Sequence, residues 1–575
     1  MNILDYFPFE SIREKQKDVI KQIEESIESG IKYIFLEAPT GFGKSPIAIA
    51  LARYLGSSHI CTSTKDLQNQ YSSDFPFIKE VKGKQNFKCL IKYDDGIEES
   101  CEYGPCQKED NFDCIYKTRL LDYVINSKGK TSEEVVIDKF QKLKYSRKLK
   151  GQLRFKNIDW EPCYYFDQKW IGNKSSHTIY NYKYFLSELY FSNNITKREL
   201  LVFDEVHNIE SEISDFKSFT INGQLIAKLF PKLKIPNKKE EDIDTWINFC
   251  EDYRDHLFVF IDQCQTNIEK NDTIEPIMEK NLIDSINKEK NLSIILNEMK
   301  TNRRNWIVTN IEKSSQDGIK KLTLTPLDIS KYFKEILDSS SYGLFMSATI
   351  LNKQYLSKLS GLLEDKINFI RIKDSDFPKK NRPIHLMNVS WLNNKTMVSS
   401  LPTIAKTVDN IMSIHKYEKG IIHTTSYFQL NYIKNNLSVE NRVRLLETHP
   451  LVDRIQILKR HVQTNKPSVL ISPSLYQGLD LKDDLSRFQI LIKVPYPDLG
   501  NKKIAAMKQK DMSWYLWNTV IRIVQAYGRS IRSNNDHATT YILDSNINYL
   551  LNIAKDMFPK WFVEAIVKNN TRDND

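Results

Sequence analysis

Six short apolar runs, each ending abruptly in small or polar residues, constrain this chain more than any other feature. Tyr33–Glu37 (YIFLE) leads into APTGFGKS, Leu200–Phe203 (LLVF) into DEVH, and Gly343–Met346 (GLFM) into SATI. Further along, GIIH precedes TTSY, SVLIS precedes PSLYQGLD, and FQILIKV precedes PYPDLG. Runs that are apolar throughout read as strands buried on both faces, the mark of parallel α/β sheets. Chemistry in such sheets gathers beyond the carboxyl ends of the strands, where these polar tags stand. The expected fold class is therefore α/β.

At 575 residues the chain has room for roughly three to five folding units. No run of about 18 apolar residues occurs, so no membrane helix is expected. The start, MNILDYFPFE, is acidic and lacks the basic region of a secretory signal. A reducing intracellular compartment is the default, and there clustered cysteines point to metal binding or catalysis over structural disulfides. The net charge of +10 suits a polyanionic partner, although a Lys-, Asn- and Ile-rich composition produces the same surplus.

Two long interruptions break the strand rhythm. Residues 85–178 hold five of the eight cysteines: Cys89, Cys101, Cys106, Cys114 and Cys163. Residues 209–330 look helical, with Ile243, Trp246, Ile247, Cys250, Tyr253, Leu257, Ile261 and Cys264 along one stripe. Cys250 and Cys264 are thus read as core, and Cys61 in HICT as buried and inert. Thr178–Phe191 (TIYNYKYFLSELYF) is rich in aromatics that either fill a core or stack on bases; helical spacing favours the core.

The loop Ala38, Pro39, Thr40, Gly41, Phe42, Gly43, Lys44, Ser45 fits the phosphate-loop pattern, with Ala38 in place of its first Gly. Backbone N–H groups of a Gly-rich turn at a helix start cradle phosphates, Lys44 reaches the β- and γ-phosphates, and Ser45 ligates Mg²⁺. In DEVH, Asp204 is the partner for Mg²⁺ and Glu205 the group that orients the attacking water. His207 is placed to link the nucleotide state to neighbouring motifs. In QAYGRSIR, Gln525 precedes Arg529 and Arg532, which stand one turn apart and suit an arginine-finger role. A solvated basic helix face is the competing reading for that pair.

Taken together, these residues resemble superfamily 2 helicases, specifically the iron–sulfur branch that includes XPD and DinG. Arg13 to Gln16 (REKQ) is similar to its adenine-sensing element, Thr62 to Gln70 to motif Ia, DEVH to motif II and Ser347 to Thr349 to motif III. His423 to Tyr427 is similar to motif IV, Ser474 to Asp480 (with Gly478 and Asp480 on the nucleotide side) to motif V, and Gln525 to Arg532 to motif VI. The resemblance implies two RecA-like lobes, with a cysteine-rich iron–sulfur insertion and a mostly helical arch insertion in the first. It implies the divisions 1–84, 179–208 and 331–380 for the first lobe, 85–178 for the cluster, 209–330 for the arch and 381–575 for the second lobe.

Activity implied by the resemblance is ATP-dependent, 5′→3′ translocation on single-stranded DNA with duplex unwinding, in DNA repair or replication-fork processing. The alternatives are a translocase that remodels without unwinding and a scaffold subunit with a structural zinc site. Implied cofactors are ATP, Mg²⁺ and a [4Fe–4S] cluster; the implied partners are single-stranded and forked DNA, and repair or replication proteins, for a monomer in the cytoplasm, nucleoid or nucleus. Cluster ligands expected from the family are Cys89, Cys106, Cys114 and Cys163, with Cys101 as the alternative. The spacer from Ile115 to Pro162 is longer than the family pattern, and spacing alone leaves zinc open.

Overall fold

The computed structural model describes the chain except for residues 1, 40, 92–99, 109–113, 115, 117–162, 193–194, 237–241, 271–275, 314–318, 351, 374–376, 449–453, 474–480, 482, 529–535 and 568–575. Two compact units form: Met1–Leu55 with Val202–Asn208 and Tyr342–Asp575, and Gly56–Leu201 with Ile209–Ser341. Along the chain come β1 (Tyr33–Glu37), β2 (Ser58–Thr62), β3 (Lys79–Glu80), β4 (His177–Asn181) and β5 (Arg198–Asp204). β6 (Phe219–Asn222), β7 (Trp306–Lys313) and β8 (Ile319–Pro326) follow, then β9 (Ser340–Ser347) and β10 (Ile367–Arg371). The last six are β11 (Ile384–Ser390), β12 (Gly420–His423), β13 (Leu445–Glu447), β14 (Val469–Ser472), β15 (Phe488–Leu491) and β16 (Thr539–Asp544).

In the first unit β1 runs parallel between β10 and β9, with Phe35 level with both Phe369 and Phe345. The carboxyl end of β5 follows β9 in the strand order. Phe35 and Phe203 each stack on Phe345, at 4.6 and 5.7 Å between ring centroids. Such rings on neighbouring strands fill the sheet face and hold β1, β9 and β5 in register, so their polar ends emerge side by side. A second sheet, in the order β11-β16-β15-β12-β14-β13, is parallel throughout. Its faces pack against two apolar clusters, one with Ile404, Val408 and Leu430, the other with Trp517, Val520 and Phe562. Two parallel sheets with helices on both faces meet the α/β expectation.

The second unit carries parallel β2, β4 and β3 and a separate antiparallel sheet in the order β6-β8-β7. Two helices, Ile243–Lys270 and Pro276–Thr301, pack on the latter through Trp246, Cys250, Tyr253, Leu292, Leu296 and Met299. The helical stripe read from the sequence thus faces a core that includes Cys250, and Cys264 is also buried. The antiparallel sheet is an addition to the helical reading of that interval. Its signal was present as a period of two, since Leu322 and Leu324 of β8 are buried while Thr323 between them is only partly so. In the aromatic stretch, Tyr180, Tyr182, Tyr184 and Phe185 are buried and Phe191 alone of its rings is strongly exposed. The core reading holds for those four rings. Cys61 is fully buried, and burial pushes its thiol pKa well up.

Among the described residues no helix is long and apolar enough to cross a membrane.

Candidate functional site

The phosphate loop leaves the end of β1 and enters the helix α2 (Lys44–Leu55). Gly41 and Gly43 adopt φ of 78° and 87°, a region that favours glycine. A Cβ on Gly43 would also collide with the Gln16 side chain. Lys44 is nearly buried, and its Nζ donates to the carbonyls of Ala38 (3.0 Å) and Pro39 (3.4 Å). The ammonium is therefore held inside the curve of the loop. Ser45 follows at the first turn of α2, and Thr40 lies outside the described residues.

Arg13 and Gln16 reach the same loop from the helix Glu14–Glu28 and its cap. Gln16 Nε2 donates to the Phe42 carbonyl (3.0 Å), its Oε1 accepts the Arg13 N–H (3.0 Å), and Arg13 donates to the Gly41 carbonyl (2.9 Å). These bonds tie the adenine-sensing candidates to the backbone of the phosphate loop.

Asp204 ends β5 and is buried; the Glu205 N–H donates to its Oδ1 (3.0 Å). Glu205 itself has φ of 60°, an unfavourable value for a side chain with a Cβ, so local strain aims this carboxylate. His207 Nδ1 stands 2.8 Å from Ser347 Oγ and 3.1 Å from Glu205 Oε2. Ser347 Oγ lies 3.4 Å from Glu205 Oε2 and accepts the Thr349 N–H (3.1 Å). Thr349 Oγ1 in turn accepts from Gln525 Nε2 (2.9 Å). Gln525 sits on the helix Met512–Tyr527 against the second sheet, so a chain of polar contacts runs from motif II through motif III to motif VI. Arg529, Arg532, Gly478 and Asp480 lie outside the described residues.

Glu37 was not singled out by the sequence reading. Its Oε2 accepts the Ile350 N–H (2.8 Å) and its Oε1 pairs with Arg371 Nε (2.8 Å), with the carboxylate buried. The available signal was an acid ending the otherwise apolar YIFLE directly before the loop, a costly place for an unpaired charge. In the stretches similar to motifs Ia and IV two hydroxyls have local work: Thr64 caps the helix Lys65–Asp74 and Ser426 caps Tyr427–Asn436.

In the second unit the five clustered cysteines come together. An isolated bridge between Lys88 and Ser100 brings the Cys89 and Cys101 segments alongside, and the Cys101 N–H donates to the Phe87 carbonyl (2.8 Å). The Cys163 N–H donates to the Tyr116 carbonyl (2.8 Å), which anchors the distant end beside Cys114. Cys101 Sγ lies 3.8 Å from Cys163 Sγ. A Cβ on Gly104 would stand 3.0 Å from Cys89 Sγ, so glycine at the Gly104-Pro105 turn lets that thiol pack close. Cys114 and Ile91 form a small apolar cluster with Cys89, Cys106 and Tyr116 against it.

The thiols also feel one another. The bond to Cys163, then burial and the neighbouring Cys89 and Cys106, push the Cys101 pKa up. Burial, with Cys106, Cys89 and Cys163 nearby, pushes Cys114 up to about 12. None of the eight cysteines is in a disulfide. Among the described residues no three His, Cys, Asp or Glu side chains already stand in a geometry that holds one ion. The donors are soft ligands, with Cys101, Cys114 and Cys163 buried and Cys89 and Cys106 partly so.

Two family models match the chain. One, described as type III restriction enzyme, res subunit, covers residues 10–235; the other, described as helicase C-terminal domain, covers residues 408–565. A solved XPD helicase is similar over 96% of this chain and 99% of its own, at 15% identity and a TM-score of 0.59. Xpd4 of S. tokodaii is similar over 96% and 99%, at 14% identity and a TM-score of 0.57. Among curated relatives, the regulator of telomere elongation helicase 1 homolog of Caenorhabditis elegans is 27% identical over 111 residues, 16% of this chain and 11% of that protein. The ATP-dependent DNA helicase CHL1 of Kluyveromyces lactis is 22% identical over 297 residues, 45% of this chain and 35% of that protein. The chain thus spans a small part of these relatives' length, and the solved structures speak for its fold. The chain matches the two family models in succession along its length, and its fold is similar to that of solved XPD helicases.

Proposed function

We propose that this chain is an ATP-hydrolysing motor that moves 5′→3′ along single-stranded DNA and unwinds forked duplex, in DNA repair or replication-fork processing. The observation that carries the reading is the contact chain Glu205–His207–Ser347 and Thr349–Gln525. It joins the acidic strand end of one parallel sheet to a helix of the other, as conversion of phosphate occupancy into lobe movement requires.

In this reading Lys44 leaves the carbonyls of Ala38 and Pro39 for the β- and γ-phosphates, and Ser45 and Asp204 hold Mg²⁺. Glu205 orients the attacking water, and Arg529 and Arg532 offset the charge that develops on the transferred group. Arg13 and Gln16 take the adenine, and Gly478 and Asp480 serve the nucleotide from the second lobe. The lobes, the cluster region and the arch follow the divisions 1–84, 85–178, 179–208, 209–330, 331–380 and 381–575. The protein works as a monomer on single-stranded and forked DNA with repair or replication partners, in nucleoid, cytoplasm or nucleus.

Cys89, Cys106, Cys114 and Cys163 hold a [4Fe–4S] cluster, with Cys101 as the alternative ligand. When bound, the cluster ties four thiolates into one rigid centre. Zinc is the second reading, because four cysteines can also make a structural zinc site. Metal analysis of anaerobically purified protein separates them: brown protein with iron upholds the cluster, and colourless zinc-loaded protein refutes it.

Hydrolysis measured with and without single-stranded DNA tests the motor. Stimulation by DNA is the expected result, and its absence leaves the scaffold reading. Strand displacement on 5′-tailed against 3′-tailed duplexes then tests unwinding and polarity; displacement from 3′ tails alone overturns the direction, and none at all leaves a translocase.

A further inference from the structure

One tryptophan outside the helicase motifs is tied to the motif III turn. Trp517 is buried on the helix Met512–Tyr527, eight residues before Gln525. Its indole N–H donates to the Ile350 carbonyl (2.8 Å), and its ring lies against Tyr355 with centroids 3.9 Å apart. Tyr355 belongs to the helix Lys353–Ser360, which directly follows the motif III turn. At the other end of the Met512–Tyr527 helix, its cap Asp511 pairs with Lys358 (3.2 Å).

Ile350 is held from its other side as well. Its N–H goes to Glu37, whose second oxygen is fixed by Arg371. Glu37 immediately precedes Ala38, the residue whose carbonyl holds Lys44 and whose N–H donates to the Ser347 carbonyl (3.1 Å). The backbone of one residue, Ile350, is therefore clamped through the two peptide units that flank it, between the base of the phosphate loop and a helix of the second sheet. Trp517 and Gln525 stand about 12 Å apart along the helix at 1.5 Å per residue. A helix tied at one point can pivot; tied at two separated points, it keeps its angle to the motif III turn.

We propose that Trp517 is a positioning residue: with Glu37 it clamps the backbone of Ile350 and transmits the state of the phosphate loop to the helix that carries Gln525. This path is separate from the Glu205–His207–Ser347 contacts. It rests on the DNA-stimulated motor reading above. Removing the indole N–H costs the Ile350 carbonyl one donor but leaves it the Asn352 N–H (3.0 Å), so the fold keeps that acceptor satisfied.

The test is hydrolysis by the full chain carrying Trp517→Phe, which retains a ring beside Tyr355. DNA-free turnover and the KM for ATP stay within about twofold of wild type, while stimulation by single-stranded DNA falls roughly fivefold or more. A double variant with Glu37→Gln loses less than the sum of the two single losses, because both act on one backbone residue, Ile350. Undiminished stimulation in Trp517→Phe overturns the proposal. So does a parallel fall of DNA-free turnover, KM and stimulation, which marks a merely structural role. Absence of stimulation in the wild type instead overturns the motor reading itself. If Trp517→Phe melts several degrees lower, Tyr355→Leu decides: it frees the indole without removing it, and wild-type stimulation there counts against the clamp.

Discussion

The phosphate site and the thiol region solve opposite problems. Residues of the first are far apart in sequence, from Arg13 to Gln525, yet directional bonds join them. Strand ends in register deliver Glu37 and Ser347 side by side, and β5, next to β9 in the sheet, ends on Asp204. The thiols are far closer in sequence, and among the described residues they gather on one small apolar cluster, Ile91 and Cys114 with Cys89, Cys106 and Tyr116 packed against it. Where thiolates bind a metal, ligand free energy becomes folding free energy. Directional bonds join the one site; packing gathers the other.

The sharpest way to break that contrast is Lys44→Ala. Loss of the ammonium from a preformed site lowers hydrolysis by roughly a hundred- to a thousandfold, with DNA binding still measurable by fluorescence anisotropy. Hydrolysis at wild-type level removes the phosphate-loop assignment. Next is Cys163→Ser or removal of the metal by a chelator. Bound metal falls to a trace, and residues 85–178 become sensitive to limited proteolysis, while DNA-free hydrolysis changes by less than about threefold because the first unit assembles on its own core. Equal losses of both would mean that the two regions are not independent.

What could be read in advance follows the same division. The phosphate loop, DEVH and SAT were legible because a buried run followed by a polar tag is a local signal. Glu37 was not, since a single acid at a strand end becomes meaningful only when Ile350 and Arg371 arrive from remote sequence. The antiparallel sheet was overlooked because β7 and β8 are short alternating segments beside two helices of 28 and 26 residues. Aromatic spacing in Thr178–Phe191 left core and base stacking open, and burial of Tyr182 and Phe185 decides for core at those positions. Cysteine spacing is weaker still: five thiols gather, and backbone ties near Phe87 and Tyr116 govern which of them meet.

A smaller effect tests whether the motif chain works as a unit. Gln525→Ala removes the donor to Thr349 and leaves the phosphate loop untouched. Turnover falls about tenfold with a lesser change in KM for ATP, since the bond joins Gln525 to the motif III turn and not to the phosphate loop. An increase in KM alone would make Gln525 a binding residue and weaken the comparison between a joined site and a gathered one.

The smallest expected effect separates the units by acid. His59 on β2 in the second unit is buried, and burial, with Arg198 close by, lowers its pKa to about 3. Its Nε2 donates to the Thr196 carbonyl (2.7 Å), so the folded state keeps the ring neutral. The unfolded chain binds a proton near its ordinary value of about 6.5. Stability from this group is fully present above pH 6.5 and is lost as pH falls toward 3, because only the unfolded state gains the proton. Between pH 7 and pH 5 the loss is about 2 kcal/mol. Buried Asp544 in the first unit has the opposite sign. Burial raises its pKa, so the folded state holds its proton to higher pH and gains stability on acidification. Hydrogen exchange followed by peptide should therefore show protection around β2 and β4 falling between pH 7 and pH 5, once corrected for intrinsic exchange, while protection around β16 does not. His59→Gln keeps a donor toward Thr196 and flattens the first slope; an unchanged slope would assign the acid sensitivity to another group in that unit.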